Sequence, residues 1–130
     1  MVEEYLPYAK ILLISVSTLF GSIVFHELGH IIAYKAFKVK LVKIGFDKIP
    51  GRLEYGFYVS YQKDAQFSNR KDKIATFSGP LLEFIFGIIF LAYCLSVQNS
   101  YALLSIMPIS SALYNLSPFC PDGSLIWKKD

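Results

Sequence analysis

The chain holds two histidines, His26 and His30, four residues apart, and Glu27 follows the first directly. On a helix, residues four apart project from nearly the same face. Two imidazoles placed so can hold one metal ion between them. Glu27 can then approach a water on that ion and take its proton as a general base. Zinc suits this task, because it lowers the pKa of its water to about 7. Two histidines leave the set incomplete, since a catalytic zinc normally takes three protein ligands and keeps a fourth position open. The bland alternative is a pair of hydrogen-bonded core histidines.

What must position these residues is a set of apolar helices. Residues 11–34 contain one carboxylate, Glu27. Residues 74–97 again contain one, Glu83, and residues 101–121 carry no charge. A helix needs about 20 apolar residues to cross the hydrocarbon core. A backbone in lipid must also satisfy its own hydrogen bonds. We therefore expect an α-helical membrane protein with three transmembrane helices, near residues 8–34, 74–97 and 101–121, forming a single domain over residues 1–130. The composition agrees: 54% of the 130 residues are hydrophobic and 18% charged, with mean hydropathy +0.43. That balance and a net charge of +3 speak against a soluble enzyme or a nucleic-acid binder. Three ionisable groups on one turn of a span are costly, at about 2.5–3.5 kcal/mol each near its centre, and this favours a metal over a chance motif.

The first two spans are joined by residues 35–73, which hold ten of the thirteen lysines and arginines against four acids. The positive-inside rule places this loop in the cytoplasm. The N-terminus, with Glu3 and Glu4, is then outside, and the C-terminus, with Lys128 and Lys129, is cytoplasmic. His26 lies nine residues before Lys35, ~13 Å from the cytoplasmic end of its helix. The loop itself is patterned. Leu53, Tyr55, Phe57, Val59 and Tyr61 alternate with other residues, the period of a strand with one buried face. Residues 39–46 are also strand-like, and residues 47–51, with Pro50 and Gly51, suit a turn. A small membrane-associated β-hairpin or sheet is expected there, followed by a polar linker over residues 62–72. A short connection at residues 98–100 makes the second and third spans a hairpin. The opening MVEEYLPYAK has acids where a secretory signal carries positive charge. Cys94 and Cys120 lie far apart in apolar surroundings and suggest buried thiols rather than a disulfide.

The candidates for the third ligand are Glu83, Asp122 and a cysteine. Context favours Asp122, in NLSPFCPDG (115–123), on the same side as His26. Pro118 and Pro121 break a helix, and Gly123 permits a sharp turn. Broken backbone at membrane depth is tolerated where it lines a cavity. The alternative is an ordinary Pro-Asp-Gly turn. Glu83 has two readings, a polar partner of the metal site or of substrate, and a glutamate hydrogen-bonded between helices. Cys120 reads most simply as a small buried hydrophobe.

FHELGH (25–30), FSGPLLE (77–83) and NLSPFCPDG, in this order, resemble the three core helices of the site-2 protease family, intramembrane zinc metalloproteases, over roughly residues 12–127. The resemblance implies one Zn²⁺ per chain on His26, His30 and Asp122, with Glu27 as catalytic base. It also implies a role for Asn115 in catalysis, positioning substrate or stabilising the reacting carbonyl. Three departures stand out. Glu83 replaces an asparagine common in the middle helix, Pro121 replaces a leucine, and seven residues follow Gly123, as in a minimal core without flanking helices or a PDZ domain. The implied reaction is hydrolysis of peptide bonds in or near a transmembrane segment of a membrane-protein substrate, that is, regulated intramembrane proteolysis. The bilayer is the other expected partner, and no nucleic acid is expected. Three helices leave a cleft open to lipid, which a homodimer would cover. Substrate must unwind locally, and it could add as a strand to the hairpin edge, with Glu83 and Asn115 as candidate substrate contacts. The basic loop also suits an anionic leaflet. A rival of another class is a non-proteolytic membrane protein that keeps a structural zinc site and acts as a binding partner. A transporter subunit has less support, because no polar pathway is evident.

Overall fold

The computed structural model describes residues 2–48, 55–64, 67–97 and 100–128. The chain begins with α1 (Val2–Ala36), followed by strands β1 (Lys40–Lys48) and β2 (Tyr55–Gln62) and by α2 (Asn69–Ser96). A 3₁₀ segment (Ser100–Ser105), α3 (Ile106–Asn115) and α4 (Pro121–Ile126) complete it. Two helical stretches, Tyr8–Ala36 and Asn69–Ser96, are long and apolar enough to cross a bilayer.

The expected third span is not one helix. Proline explains the division. Pro108 stands in the first turn of α3, where a missing N–H is tolerated. The helix then ends at Asn115, three residues before Pro118, and Pro121 opens α4 at its first position. Of the expected turn at residues 47–51, the first two belong to β1 and residues 49–51, with Pro50 and Gly51, lie outside the described residues; of the expected connection at residues 98–100, Ser100 opens the 3₁₀ segment and residues 98–99 lie outside them. The polar linker is shorter than expected, because α2 already begins at Asn69.

The first helix stops at a Schellman cap. Val39 N–H reaches the Tyr34 carbonyl at 2.9 Å, and Lys38 N–H reaches the Lys35 carbonyl at 2.9 Å. Lys38 sits at φ 60°, a left-handed conformation that usually goes to glycine. The reversal feeds β1 into an antiparallel pair with β2, registered from Lys40 opposite Gln62 to Lys48 opposite Tyr55, with an irregularity between Leu41 and Lys43. The alternation expected for residues 53–61 is thus a strand from Tyr55 onward. The sheet has two strands among the described residues.

The interior is the reverse of a soluble core. Among the described residues most buried side chains are small or polar, such as Thr18, Ser22, His30, Ala75, Thr76, Glu83, Ser105 and Ala112, and Tyr34 is the one large ring among them. Large aliphatic and aromatic residues such as Leu12, Phe20, Ile89 and Leu103 face outward. Small residues at helix contacts with apolar surface outside are the arrangement of bundles in lipid. The tightest approach is between α1 and α2. A Cβ at Gly29 would overlap the backbone of Ser78 and Gly79, and one at Gly79 would overlap the His30 ring.

Candidate metal centre

His26 and His30 lie one turn apart on α1, with rings edge to face at 4.9 Å between centroids and 80° between planes. Asp122 enters from the first turn of α4. The three form a potential metal-binding group, from which Glu83 and Cys120 are absent. His26 Nε2 is 3.0 Å from Asp122 Oδ2 and 3.2 Å from His30 Nε2. His30 Nε2 is 3.4 Å from Asp122 Oδ2. Ligand atoms at zinc bond lengths of about 2.0–2.2 Å in tetrahedral geometry stand roughly 3.3–3.6 Å apart. The triangle matches or falls slightly below that spacing, so these side chains fit a zinc ion.

The opposite nitrogens are occupied by α2. His30 Nδ1 lies 2.9 Å from the Ala75 carbonyl. A carbonyl only accepts, so Nδ1 carries the hydrogen and Nε2 keeps its lone pair for the centre of the triangle. His26 Nδ1 lies 2.9 Å from Glu83 Oε2. Gly79 brings α2 close enough for these contacts, since its missing side chain makes the space taken by His30.

Asp122 is positioned by a short stop and restart of the helix. Leu116–Cys120 turns through bonds from Ser117 N–H to Tyr114 O at 2.9 Å and from Cys120 N–H to Ser117 O at 3.1 Å. Trp127 Nε1 donates back to the Leu116 carbonyl at 2.8 Å and holds α4 against the end of α3. Gly123 corrects the sequence-based expectation. It is not a turn residue but lies within α4, buried so tightly on Ser117 that a Cβ would overlap its carbonyl.

Glu27 is half-buried. Its carboxyl group lies within electrostatic reach of His26, His30 and Asp122. It also reaches Tyr61 on β2, where burial first, and then the Glu27 and Tyr34 charges, push the phenol above its ordinary pKa. The Tyr61 ring packs on Tyr34 at 4.0 Å. Tyr34 OH donates to Asp72 at 2.5 Å, and Lys63 Nζ meets the same carboxylate at 2.6 and 2.8 Å. These contacts anchor the hairpin stem beside the site.

Glu83 and Asn115, the two candidate substrate contacts, both stand beside His26. Glu83 is 1% exposed. Its described partners all belong to the chain: Ser22, His26, Ser111 and Asn115. Asn115 Nδ2 stands 3.3 Å from Glu83 Oε2 and 3.4 Å from His26 Nδ1. Sequence reasoning missed Ser22, although it precedes His26 by four residues and so shares its helix face. It also missed Ser111 and the Ala75 carbonyl, which nothing short of the packing reveals.

A family profile for Peptidase family M50 matches residues 14–116. The chain belongs to peptidase family M50. This is the site-2 protease family, whose members are membrane metalloproteases, zinc-dependent in general. Membership and the two apolar helices support membrane association. The matched stretch includes His26, Glu27, His30, Gly79, Glu83 and Asn115. It ends before Asp122, which joins the M50 histidines through geometry. Among curated proteins and among solved structures, no match was found.

Proposed function

We propose that this M50 chain is an intramembrane zinc metalloendopeptidase that cleaves membrane-protein substrates in or near a transmembrane segment. The observation that carries this reading is the triangle of His26 Nε2, His30 Nε2 and Asp122 Oδ2, with the histidines' opposite nitrogens engaged by α2.

His26, His30 and Asp122 would hold the zinc. When bound, zinc supplies Lewis acidity that makes a water acidic and polarises the scissile carbonyl. The Glu27 carboxylate takes the proton of the attacking water and returns it to the leaving amine. Asn115 has two amide hydrogens. One faces Glu83, and the other can be offered to the substrate carbonyl. The outer edges of β1 and β2 give an unwound substrate segment a place to add as a strand. The loop and the C-terminal end would lie in the cytoplasm, with three crossings. A homodimer would cover the cleft that three helical segments leave open to lipid.

The test begins with elemental analysis of the detergent-purified chain beside Asp122→Ala. One zinc per wild-type chain, lost or weakened in the variant, supports a site closed by α1 and α4. Absence of metal after zinc is offered at neutral pH overturns the reading. Glu83 in place of the asparagine favours one rival, a zinc-holding binding partner without proteolysis. Glu27→Gln separates the two, because a protease loses cleavage yet keeps its metal, whereas a binding partner is little changed.

A further inference from the structure

Glu83 has the least solvent-exposed ionisable side chain among the described residues, and it lies where three helices meet. Ser22 and His26 come from α1, Ser111 and Asn115 from α3, and all four engage the Glu83 carboxylate of α2. Hydroxyls and an amide nitrogen can donate here, and a carboxylate accepts.

We propose that Glu83 is the positioning residue of the metal centre: its carboxylate holds the Nδ1–H of His26 and so aims His26 Nε2 at His30 and Asp122. This rests on the metalloprotease reading. A metal-binding imidazole is oriented by whatever its other nitrogen bonds, and a carboxylate there also raises its basicity as a ligand. α2 provides one such acceptor for each histidine. For His30 it is the Ala75 carbonyl, which the helix backbone fixes. For His26 it is a side chain, which needs fixing of its own. Ser22 on Oε1, and Asn115 at 3.3 Å from Oε2, supply that. Asn115 then serves His26 indirectly, since a nitrogen that carries hydrogen cannot also accept from the amide at 3.4 Å. An asparagine at this position would be one carbon shorter and neutral. Glu83 is therefore not an equivalent replacement but a different device, a carboxylate–histidine pair.

The test uses the full chain in detergent or nanodiscs. Zinc affinity is measured by competition with a chromophoric chelator for wild type, Glu83→Gln and Glu83→Ala, beside the melting temperature of each in chelator. Glu83→Gln keeps the shape and one acceptor. It is expected to weaken zinc binding by about 10–100-fold, with little change in metal-free melting, and Glu83→Ala more. With substrate, the loss should fall on kcat and not on KM. A second readout needs no variant: histidine nitrogen NMR of the zinc-loaded wild type should show His26 metallated at Nε2 and protonated at Nδ1. Wild type holding its zinc while Glu83→Gln binds within twofold of it overturns the proposal and leaves the protease reading standing. Ligation of His26 through Nδ1 does the same. A wild type that takes up no zinc overturns both.

Discussion

At Gly79 a missing side chain matters as much to the site as a ligand, because the His30 imidazole lies where a Cβ would stand. Gly79→Ala should therefore displace His30 from the triangle. Overpacking of this kind typically costs about 1–3 kcal/mol. We expect lower thermal stability and weaker zinc binding together, read by a melt in chelator and a zinc titration. Glu27→Gln acts differently. It leaves every ligand in place and removes the base, so cleavage should fall by about 10²–10⁴-fold while zinc stoichiometry stays at wild type. An unaltered cleavage rate would remove Glu27 from the chemistry. His26, Glu27 and His30 were legible in the sequence because one helical turn fixes their relation. Asp122 is 92 residues beyond His30, and only its Pro-rich context and the family resemblance pointed to it. For Glu83 the sequence offered a bond between helices and a place beside the metal site, but not its partners, since these depend on which faces of three helices meet.

Among the elements, α4 has six residues, too few to hold its own position. Its tether is the bond from Trp127 Nε1 to the Leu116 carbonyl. Trp127→Phe keeps an aromatic ring and removes that donor. Loosening α4 frees Asp122, so zinc dissociation should be faster while the α1 histidines are untouched. An unchanged dissociation rate would mean that Gly123 packing on Ser117 is sufficient alone. The hairpin is held through Asp72, which takes both Tyr34 OH and Lys63. Asp72→Ala should release its stem from the helices. If the hairpin receives substrate, KM rises and zinc content is unchanged. Loss of zinc as well would make the hairpin part of the metal site's support. Strand alternation predicted this element, because period two survives any docking of the hairpin. Sequence hydropathy overstated the third helix. Absence of charge over residues 101–121 does not reveal that prolines divide the backbone into three short pieces.

For the whole molecule, the deciding question is whether the divided third segment still returns the chain across the bilayer. The 3₁₀ piece has six residues and α3 has ten. Laid end to end at rises of about 2.0 and 1.5 Å, they cover roughly 27 Å, close to the ~30 Å hydrocarbon thickness. The structure also joins the two ends of the path. Lys73, in the first turns of α2, donates through Nζ to the Lys128 carbonyl at 2.6 Å. The end of the described chain therefore lies beside the start of α2, at the end of the helix pair where the hairpin stands. That end carries Lys35, Lys38, Lys40, Arg70, Lys71 and Lys73, the residues that set orientation under the positive-inside rule. Single cysteines at Tyr8→Cys, Lys40→Cys and Lys128→Cys, in a Cys94→Ala, Cys120→Ala background, test this in intact cells. A membrane-impermeant maleimide should label the position at Tyr8 from outside. It should reach those at Lys40 and Lys128 only after permeabilisation. Labelling at Lys128 together with Tyr8 would mean that the third segment turns back without crossing, and Asp122 would then approach the histidines from the other face. Labelling at Lys40 from outside would invert the molecule and move the site to the outer half of the membrane.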